Sequence, residues 1–394
     1  MSASPARNRH LARPDRAWLL LALLLAGGCT LPFLTHAANR LLTGHGIVLT
    51  ALPGQLAWLL LAPLGLLLAS PWLPGSRRWL WLRLLAAALL GNALPWLAGS
   101  SAWLLDGDIE SLARISFGGG FWLLLLGSLL CYMESCRRLA LPPPYRAALT
   151  LAALLPAGWL LASGQLDQLS LLREYDNFRD SFDSALQQHV QLVLLSLLPA
   201  LLLGSALGLL AFRLARLRDW VFPALNIVQT IPSIALFGLL IGPLAWLGKQ
   251  LPGSGIAGVG MLPAVVALTL YSLLPLARGT YAGLQQVPAE VRDAARGIGM
   301  TGWQIFLRVE LPLALPVFIG GVRITAVQAV GLAVVAALIG AGGFGAIMFQ
   351  GLSGSALDQV LLGVLPVVAL AIAMDAAFKL AIAWLDRKNH DRDF

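Results

Sequence analysis

Charged side chains are scarce in this chain. Asp, Glu, Lys and Arg make up 12% of its 394 residues, hydrophobic residues make up 58%, and the mean hydropathy is +0.78. Such a composition excludes an ordinary water-soluble domain. The three cysteines are odd in number and lie in or beside apolar runs. They therefore predict neither a disulfide framework nor a metal site.

Motifs for nucleotide binding and catalysis are also missing. The sequence has no G-x-x-x-x-G-K-[ST] phosphate loop, His–Glu metal motif, nucleophile elbow or catalytic pair of carboxylates. Gly340, Gly342 and Gly345 have the spacing of a G-x-G-x-x-G loop, but no βαβ unit is expected around them. We therefore expect a non-enzymatic chain that holds no cofactor and no metal.

Apolar residues are concentrated in long runs. About 20 apolar residues cross the ~30 Å hydrocarbon core as a helix, and in lipid only helices satisfy every backbone polar group within one segment. These runs predict an all-α polytopic membrane protein of about ten transmembrane helices. The predicted spans are 17–34, 47–70, 80–97, 117–132, 147–163, 190–212, 221–247, 261–284, 313–341 and 360–385.

Basic residues indicate the orientation of these spans. With the N-terminus inside, most Arg and Lys residues fall in cytoplasmic segments, as the positive-inside rule requires. The C-terminus then also lies inside, and the net charge of +8 reflects topology and not nucleic-acid binding. We expect the first span to be an uncleaved anchor. The basic cytoplasmic segments are 7–16, 77–83, 137–146, 213–218 and 387–392.

A hydrophilic segment, 287–312, separates two of the apolar runs. Glycines at 297 and 299 are expected to end a first amphipathic helix. Thr301, with Gln304 three residues later, has the pattern of a capping box that starts a second helix. Pro312 is expected to stop that helix. Helix physics alone leaves two interpretations open, a loop lying on lipid headgroups and a surface that docks a partner.

The spacing in this segment resembles the EAA loop of ABC-importer permeases. That pattern is Glu-Ala-Ala, three residues, Gly, nine residues, Ile, one residue and Leu-Pro. Asp and Val replace the Glu and the Ile here, and all spacings fit. The resemblance implies that the loop docks an ATPase subunit. The residues assigned to this coupling role are Glu290, Asp293, Ala294, Ala295, Gly299, Val309, Leu311 and Pro312.

The C-terminal half resembles the transmembrane core of type I importers, which have the methionine-permease-like fold. It is most similar to the branch that imports glycine betaine, choline and related quaternary amines. About five extra N-terminal spans resemble the layout of a betaine-type subfamily with long permeases. The residues that carry the resemblance are 229–233, Tyr271 with Pro275, 278–281 and 340–345.

This resemblance implies the permease subunit of an ATP-driven osmoprotectant importer in a bacterial inner membrane. The implied partners are an ABC ATPase, an external solute-binding protein, membrane lipid and a second permease copy, identical or paralogous. A permease for another small solute, such as an amino acid, remains an alternative. An ion-coupled secondary transporter is favoured less, because neither inverted repeats nor a cluster of intramembrane carboxylates is evident.

The chain is predicted to divide into three regions. Residues 1–184 form an N-terminal extension that ends in an external amphipathic linker, within 164–188. Residues 185–386 form the permease domain, with the coupling loop at 287–312. Residues 387–394 form a cytoplasmic tail.

Polar residues inside the spans are candidates for a solute path. A proline-interrupted span frees a backbone carbonyl, so a structural kink and a kink that lines a path both stay open. Arg323 and Asp375 are expected to form a buried ion pair, with Lys379 as another partner for the carboxylate. The candidate path residues are Gln229, Thr230, Pro232, Ser233, Tyr271 and Gln328.

Overall fold

The computed structural model describes residues 14–39, 42, 44–106 and 112–390. They form two compact units, Met1–Asp176 and Asn177–Phe394. Apolar side chains and helices dominate both units. Helices satisfy their own backbone polar groups, as a chain in lipid requires. In the N-terminal unit the elements are α1 (Arg16–Thr30), β1 (Pro32–Ala37), β2 (His45–Val48), α2 (Leu61–Ala69), α3 (Arg77–Leu105), β3 (Arg114–Phe117), α4 (Gly119–Arg138), α5 (Pro143–Ala162) and α6 (Ser170–Asn177).

A small antiparallel sheet in this unit was not predicted. Its strand order is β2-β1-β3, and Leu34 pairs with Phe117. The predicted span 17–34 was wrong at its end, because α1 stops at Thr30 and β1 follows. The predicted span 47–70 was also wrong, since it contains the end of β2, 3₁₀ turns and the short α2. Strand pairing satisfies backbone groups that a single apolar run would satisfy only as a helix.

The described residues include eight helices that are long and apolar enough to cross a membrane. The first two predicted spans are replaced by shorter apolar helices, at Arg16–Thr30 and Ala57–Trp72. The eight long helices are Arg77–Leu105, Gly119–Arg138, Pro143–Ala162, Arg179–Arg213, Ser233–Gln250, Met261–Gln285, Gly302–Ile339 and Leu357–Trp384.

A buried arginine in the N-terminal unit satisfies backbone carbonyls after α2. Arg83, predicted at the basic cytoplasmic end of the span 80–97, is 1% exposed within α3 and donates to the carbonyls of Ser70 and Leu73 at 3.0 and 2.8 Å. Its guanidinium lies 4.6 Å from the ring centre of Trp18, and Arg138 lies 5.7 Å from that centre. These carbonyls follow α2, so Arg83 satisfies backbone acceptors that the end of a helix leaves free.

The C-terminal unit contains the remaining elements. A π-helical turn, Phe306–Glu310, joins α12 to α13, and a 3₁₀ turn, Ala336–Ile339, follows α13. The helices are α7 (Arg179–Arg213), α8 (Ala215–Thr230), α9 (Ser233–Gln250), α10 (Met261–Gln285), α11 (Ala289–Gly297), α12 (Gly302–Ile305), α13 (Leu311–Val335), α14 (Phe344–Ser353) and α15 (Leu357–His390).

Helices α7 and α10 approach closely at two glycines. A Cβ atom on Gly204 would lie 2.7 Å from the Cβ of Leu276, and one on Gly208 would lie 2.5 Å from the carbonyl oxygen of Ala277. The spacing Gly204-x-x-x-Gly208 by itself predicts a small-residue face for helix packing, and the structure confirms it. Such close contact is how helices gain dispersion energy in lipid, where the hydrophobic effect contributes little.

The segment 164–188, predicted as an external amphipathic linker, is divided between two helices. Helix α6 ends at Asn177, and α7 begins at Arg179 and continues without interruption to Arg213. The predicted boundary after residue 184 therefore falls inside α7. The ring of Phe182 lies 5.1 Å from that of Phe344. An aromatic contact within the C-terminal unit thus involves a side chain of the predicted linker.

Candidate coupling surface and helix break

The hydrophilic segment begins with α11. Pro288 is its N-cap and Glu290 lies in its first turn, where a carboxylate favours the positive end of the helix dipole. After the helix, the amide of Met300 donates to the carbonyl of Ala295 at 3.1 Å. Gly299 has φ +85°, a left-handed conformation that favours glycine. Gly299 therefore terminates the helix through its backbone.

The predicted capping box is confirmed. The amide of Gln304 donates to the hydroxyl of Thr301 at 3.4 Å, and the amide of Thr301 donates to the side-chain carbonyl of Gln304 at 2.8 Å. Each side chain satisfies a backbone donor at the start of α12.

The prediction that Pro312 stops this helix was wrong. The helix that starts at Gly302 continues to Ile339. The π-helical turn lies just before the proline, and the amide of Leu311 donates to the carbonyl of Phe306, five residues back. A wider turn relieves the clash between a proline ring and the carbonyl four residues earlier. The segment is thus one short helix followed by a bend into a long helix.

An apolar strip faces outward on this segment. Val291, Ala294 and Ile298 follow each other at helical spacing and are exposed, whereas Ala295 is buried. Ile298 is 80% exposed, and so is 67% of Trp303. We call the four exposed residues, Val291, Ala294, Ile298 and Trp303, the coupling surface. Exposed apolar groups within a charged segment are typical of an interaction site.

The other assigned residues are placed in two ways. Asp293 is exposed and pairs with Arg296 at 2.9 Å on the same helix. Leu311 is exposed, and Val309 and Pro312 are half-buried beside the π-turn. Val309, Leu311 and Pro312 lie at the bend, where they shape the turn and contribute little to the exposed strip.

Sequence reasoning missed Glu310. Its side chain is 2% exposed and lies between two arginines, with Oε2 2.5 Å from Nη2 of Arg213 and Oε1 3.9 Å from Nη1 of Arg292. The guanidinium of Arg213 lies 5.6 Å from the ring centre of Phe212 and 5.8 Å from that of Phe306. The available signal was a lone carboxylate between apolar residues, since buried carboxylates need paired charges.

The predicted span 221–247 is broken at Ile231 and Pro232, between α8 and α9. The side-chain amide of Gln229 donates to the carbonyl of Tyr271 at 2.9 Å. The hydroxyl of Tyr271, a residue 5% exposed, donates to the carbonyl of Ile231. The break leaves that carbonyl without its helical partner, so a residue of α10 satisfies it.

The remaining path candidates make contacts different from those of Gln229 and Tyr271. The hydroxyl of Thr230 donates back to the carbonyl of Ile227 at 2.7 Å within its own helix. Ser233 is half-buried at the start of α9, and Gln328 is half-buried on α13. Within the described part of the chain, no hydrogen bond joins Gln328 to Gln229 or Tyr271.

Two motif residues on α10 make contacts to α8. Arg278 donates to the side-chain carbonyl of Asn226 at 2.9 Å, and Arg218 lies 3.3 Å from the hydroxyl of Tyr281. The ring of Tyr281 also packs edge-on against Phe222 at 5.5 Å. This part of the 278–281 motif therefore holds α8 against α10.

Three charged residues meet inside the membrane-spanning helices. Nε of Arg323 lies 3.5 Å from Oδ1 of Asp375, and Nζ of Lys379 lies 2.6 Å from Oδ2. Asp375 and Arg323 are each about one third exposed. The carboxylate thus balances two cations, which lowers the cost of charge in an apolar medium.

Comparison with known proteins gives two family matches. Residues 200–391 match the family described as binding-protein-dependent transport system inner membrane component. Residues 13–172 match the family described as ABC transporter permease YehY, N-terminal domain.

Individual relatives match about half of the chain. The osmoprotectant import permease protein OsmW of Salmonella typhimurium is 44% identical over 188 residues, which are 48% of this chain and 84% of the relative. The glycine betaine/carnitine/choline transport system permease protein OpuCB of Bacillus subtilis is 36% identical over 48% of this chain and 81% of its own length. The inward-facing MetNI methionine ABC transporter aligns with a TM-score of 0.45 and 24% identity, over 52% of this chain and 98% of that chain.

Proposed function

This chain belongs to the family of binding-protein-dependent transport system inner membrane components, and from that premise we propose that it imports osmoprotectants. It would be the permease subunit of an ATP-driven importer for quaternary amines such as glycine betaine and choline. The observation that carries this proposal is the 44% identity to an osmoprotectant import permease over 84% of that relative. The coupling surface supports the same function, because it offers a partner an apolar patch on a charged segment.

The proposed assembly places the chemistry on other chains. A separate ATPase hydrolyses ATP, an external solute-binding protein delivers the cargo, and a second permease copy, identical or paralogous, completes the pathway. Both termini and the segment 287–312 lie in the cytoplasm of a bacterial inner membrane, as the basic residues favour. Residues 185–386 act as the permease domain, residues 1–184 as the extension, and residues 387–394 as the tail.

Transport follows from mechanical coupling. ATP binding closes the ATPase dimer and displaces α11, which rests on it through Val291, Ala294 and Ile298. The displacement rotates the helical bundles from inward-open to outward-open, a rigid-body transition between two packed states. The binding protein then releases its cargo into the path, and hydrolysis resets the assembly.

The break between α8 and α9 is the proposed position of the path. A polar cargo needs backbone and side-chain dipoles at membrane depth, and an interrupted helix supplies them where it lines a cavity. Pro232 and Ser233 begin α9 at this break. Two hydrogen bonds connect the break to α10 and fix its geometry. Gln229 donates to the carbonyl of Tyr271 on α10, and the hydroxyl of Tyr271 donates back to the carbonyl of Ile231.

Uptake of radiolabelled glycine betaine and choline tests the function. The chain is co-expressed with its ATPase and binding protein in a bacterial strain stripped of other uptake systems. We expect ATP-dependent uptake that is competed by both amines. Uptake of an amino acid alone would overturn the cargo assignment, and uptake that persists without the ATPase would overturn the importer class.

A pair of variants at one position tests the docking. Gly297 has open space around its Cβ position and an ordinary φ, so Gly297→Ala should transport normally. Gly297→Trp adds bulk beside the coupling surface without backbone strain, and it should abolish uptake while the protein stays inserted. A tryptophan at Gly299 tests this less clearly, because φ +85° strains any side chain there. Normal uptake by Gly297→Trp would contradict docking at this surface.

A further inference from the structure

We propose that Glu310 is a positioning residue that transmits movement of α11 to the transmembrane helices. Its carboxylate joins three parts of the C-terminal unit: α11 through Arg292, the end of α7 through Arg213, and the start of α13 through its own backbone. This inference rests on the proposed function, because it concerns how a force on α11 reaches the solute path.

The attachment of α11 to the rest of the unit is otherwise small. This helix packs mainly on α12 and on the π-helical turn that follow it. Ala295 provides the buried side chain of α11, and its single methyl group makes few dispersion contacts that would hold the helix in place. The side chain of Arg292, which pairs with Glu310 and lies over the ring of Phe212, is therefore the contact through which a displaced α11 pulls on the helices behind it.

The two contacts of Glu310 differ in a way that suits this role. The contact to Arg213 is a short charge-assisted hydrogen bond, which fixes the end of α7 to the π-turn. The contact to Arg292, at 3.9 Å, is longer than a hydrogen bond. It can tighten or lengthen as α11 moves, while the Arg213 contact keeps its geometry.

The negative charge of Glu310 is what the arrangement requires. The side chain is 2% exposed, so water cannot replace either arginine. The ring centre of Phe212 lies 5.6 Å from the guanidinium of Arg213 and 5.8 Å from that of Arg292. A neutral amide of the same shape would fill the space yet leave both guanidinium groups without their anion.

The π-helical turn explains why Glu310 points inward. Successive residues of an α-helix are rotated by about 100°, and one extra residue in a turn shifts everything after it by that amount. Trp303 is exposed before the turn, whereas Glu310 at its end is buried. Pro312 thus acts indirectly, because the turn that accommodates it also directs the carboxylate towards Arg213.

The test uses the assembled importer in proteoliposomes, with binding protein and ATPase. Uptake and ATP hydrolysis are measured together for the wild type and Glu310→Gln. We expect Glu310→Gln to bind the ATPase chain and hydrolyse ATP, while cargo imported per ATP falls about tenfold, within the range of mutations along coupled networks. An unchanged ratio would overturn the proposal. Arg137→Gln removes an exposed ion pair in the N-terminal unit and should leave the ratio within about twofold.

A second pair of variants keeps the test decisive if Glu310→Gln fails to insert. Arg292 is more exposed than Glu310, so Arg292→Gln should fold. We expect Arg292→Gln to lose coupling and Arg292→Lys, which retains the charge, to recover much of it. Normal coupling in both variants would overturn the proposal. A wild type without ATP-driven uptake would instead contradict the proposed function, so the two failures are distinguishable.

Discussion

The hydroxyl of Tyr271 holds the break between α8 and α9, and its removal should have a measurable cost. Tyr271→Phe deletes the donor to the carbonyl of Ile231 and leaves the ring in place. A buried acceptor left unpaired costs about 1–3 kcal/mol. Hydrogen bonds between membrane helices average about 0.6 and reach about 1.7 kcal/mol in double-mutant cycles. Because Tyr271 is 5% exposed and water reaches it poorly, we expect a loss of about 1–1.5 kcal/mol in the free energy of unfolding.

Reversible unfolding in mixed detergent–lipid micelles measures this loss. Thr230→Val is the matched control, since the hydroxyl of Thr230 bonds only within its own helix and the residue is exposed. We expect that variant to change the free energy by less than about 0.5 kcal/mol. A loss below about 0.3 kcal/mol for Tyr271→Phe would contradict the proposed stabilisation of the break by this hydrogen bond. It would mean that another partner, such as water in the path, already satisfies the carbonyl of Ile231.

Two further predictions concern packing and charge in the C-terminal unit. Gly208→Ala should lower the free energy of unfolding by about 1–3 kcal/mol, because its Cβ would lie 2.5 Å from a carbonyl of α10; Gly242→Ala, with open space around it, should be neutral or slightly stabilising in the same unfolding assay. Asp375→Asn should cost about 1–3 kcal/mol by leaving Arg323 without its anion. The double variant Arg323→Gln/Asp375→Asn should recover part of that loss, and an additive double variant would contradict the ion-pair interpretation.

Local chemistry explains which features the sequence predicted well. The capping box at Thr301 and Gln304 involves neighbours within one turn, so the pattern in the chain specifies it. The packing face at Gly204 and Gly208 follows from residues four apart on one helix. The interruption at Pro232 follows from the missing amide of proline.

Long-range contacts account for what the sequence did not predict. Strand β1 pairs with β3, some 80 residues later, and the apolar run around it reads as a transmembrane helix until that partner is known. Pro312 was read as a helix end because single-residue rules do not anticipate a π-helical turn before it. The burial of Glu310 depends on Arg213, which lies 97 residues away, so the apolar neighbours of Glu310 indicate burial but do not identify its partner.

Photo-crosslinking from Ile298 shows whether the coupling surface contacts an ATPase chain. Ile298, 80% exposed on the coupling surface, is replaced by a photoreactive phenylalanine analogue in membranes that contain the chain and its ATPase. Ile324, 57% exposed in the middle of a span, is the control position. We expect an adduct between position 298 and the ATPase chain, and lipid adducts alone at position 324. Lipid adducts alone at position 298, or an adduct with the external binding protein, would contradict this expectation.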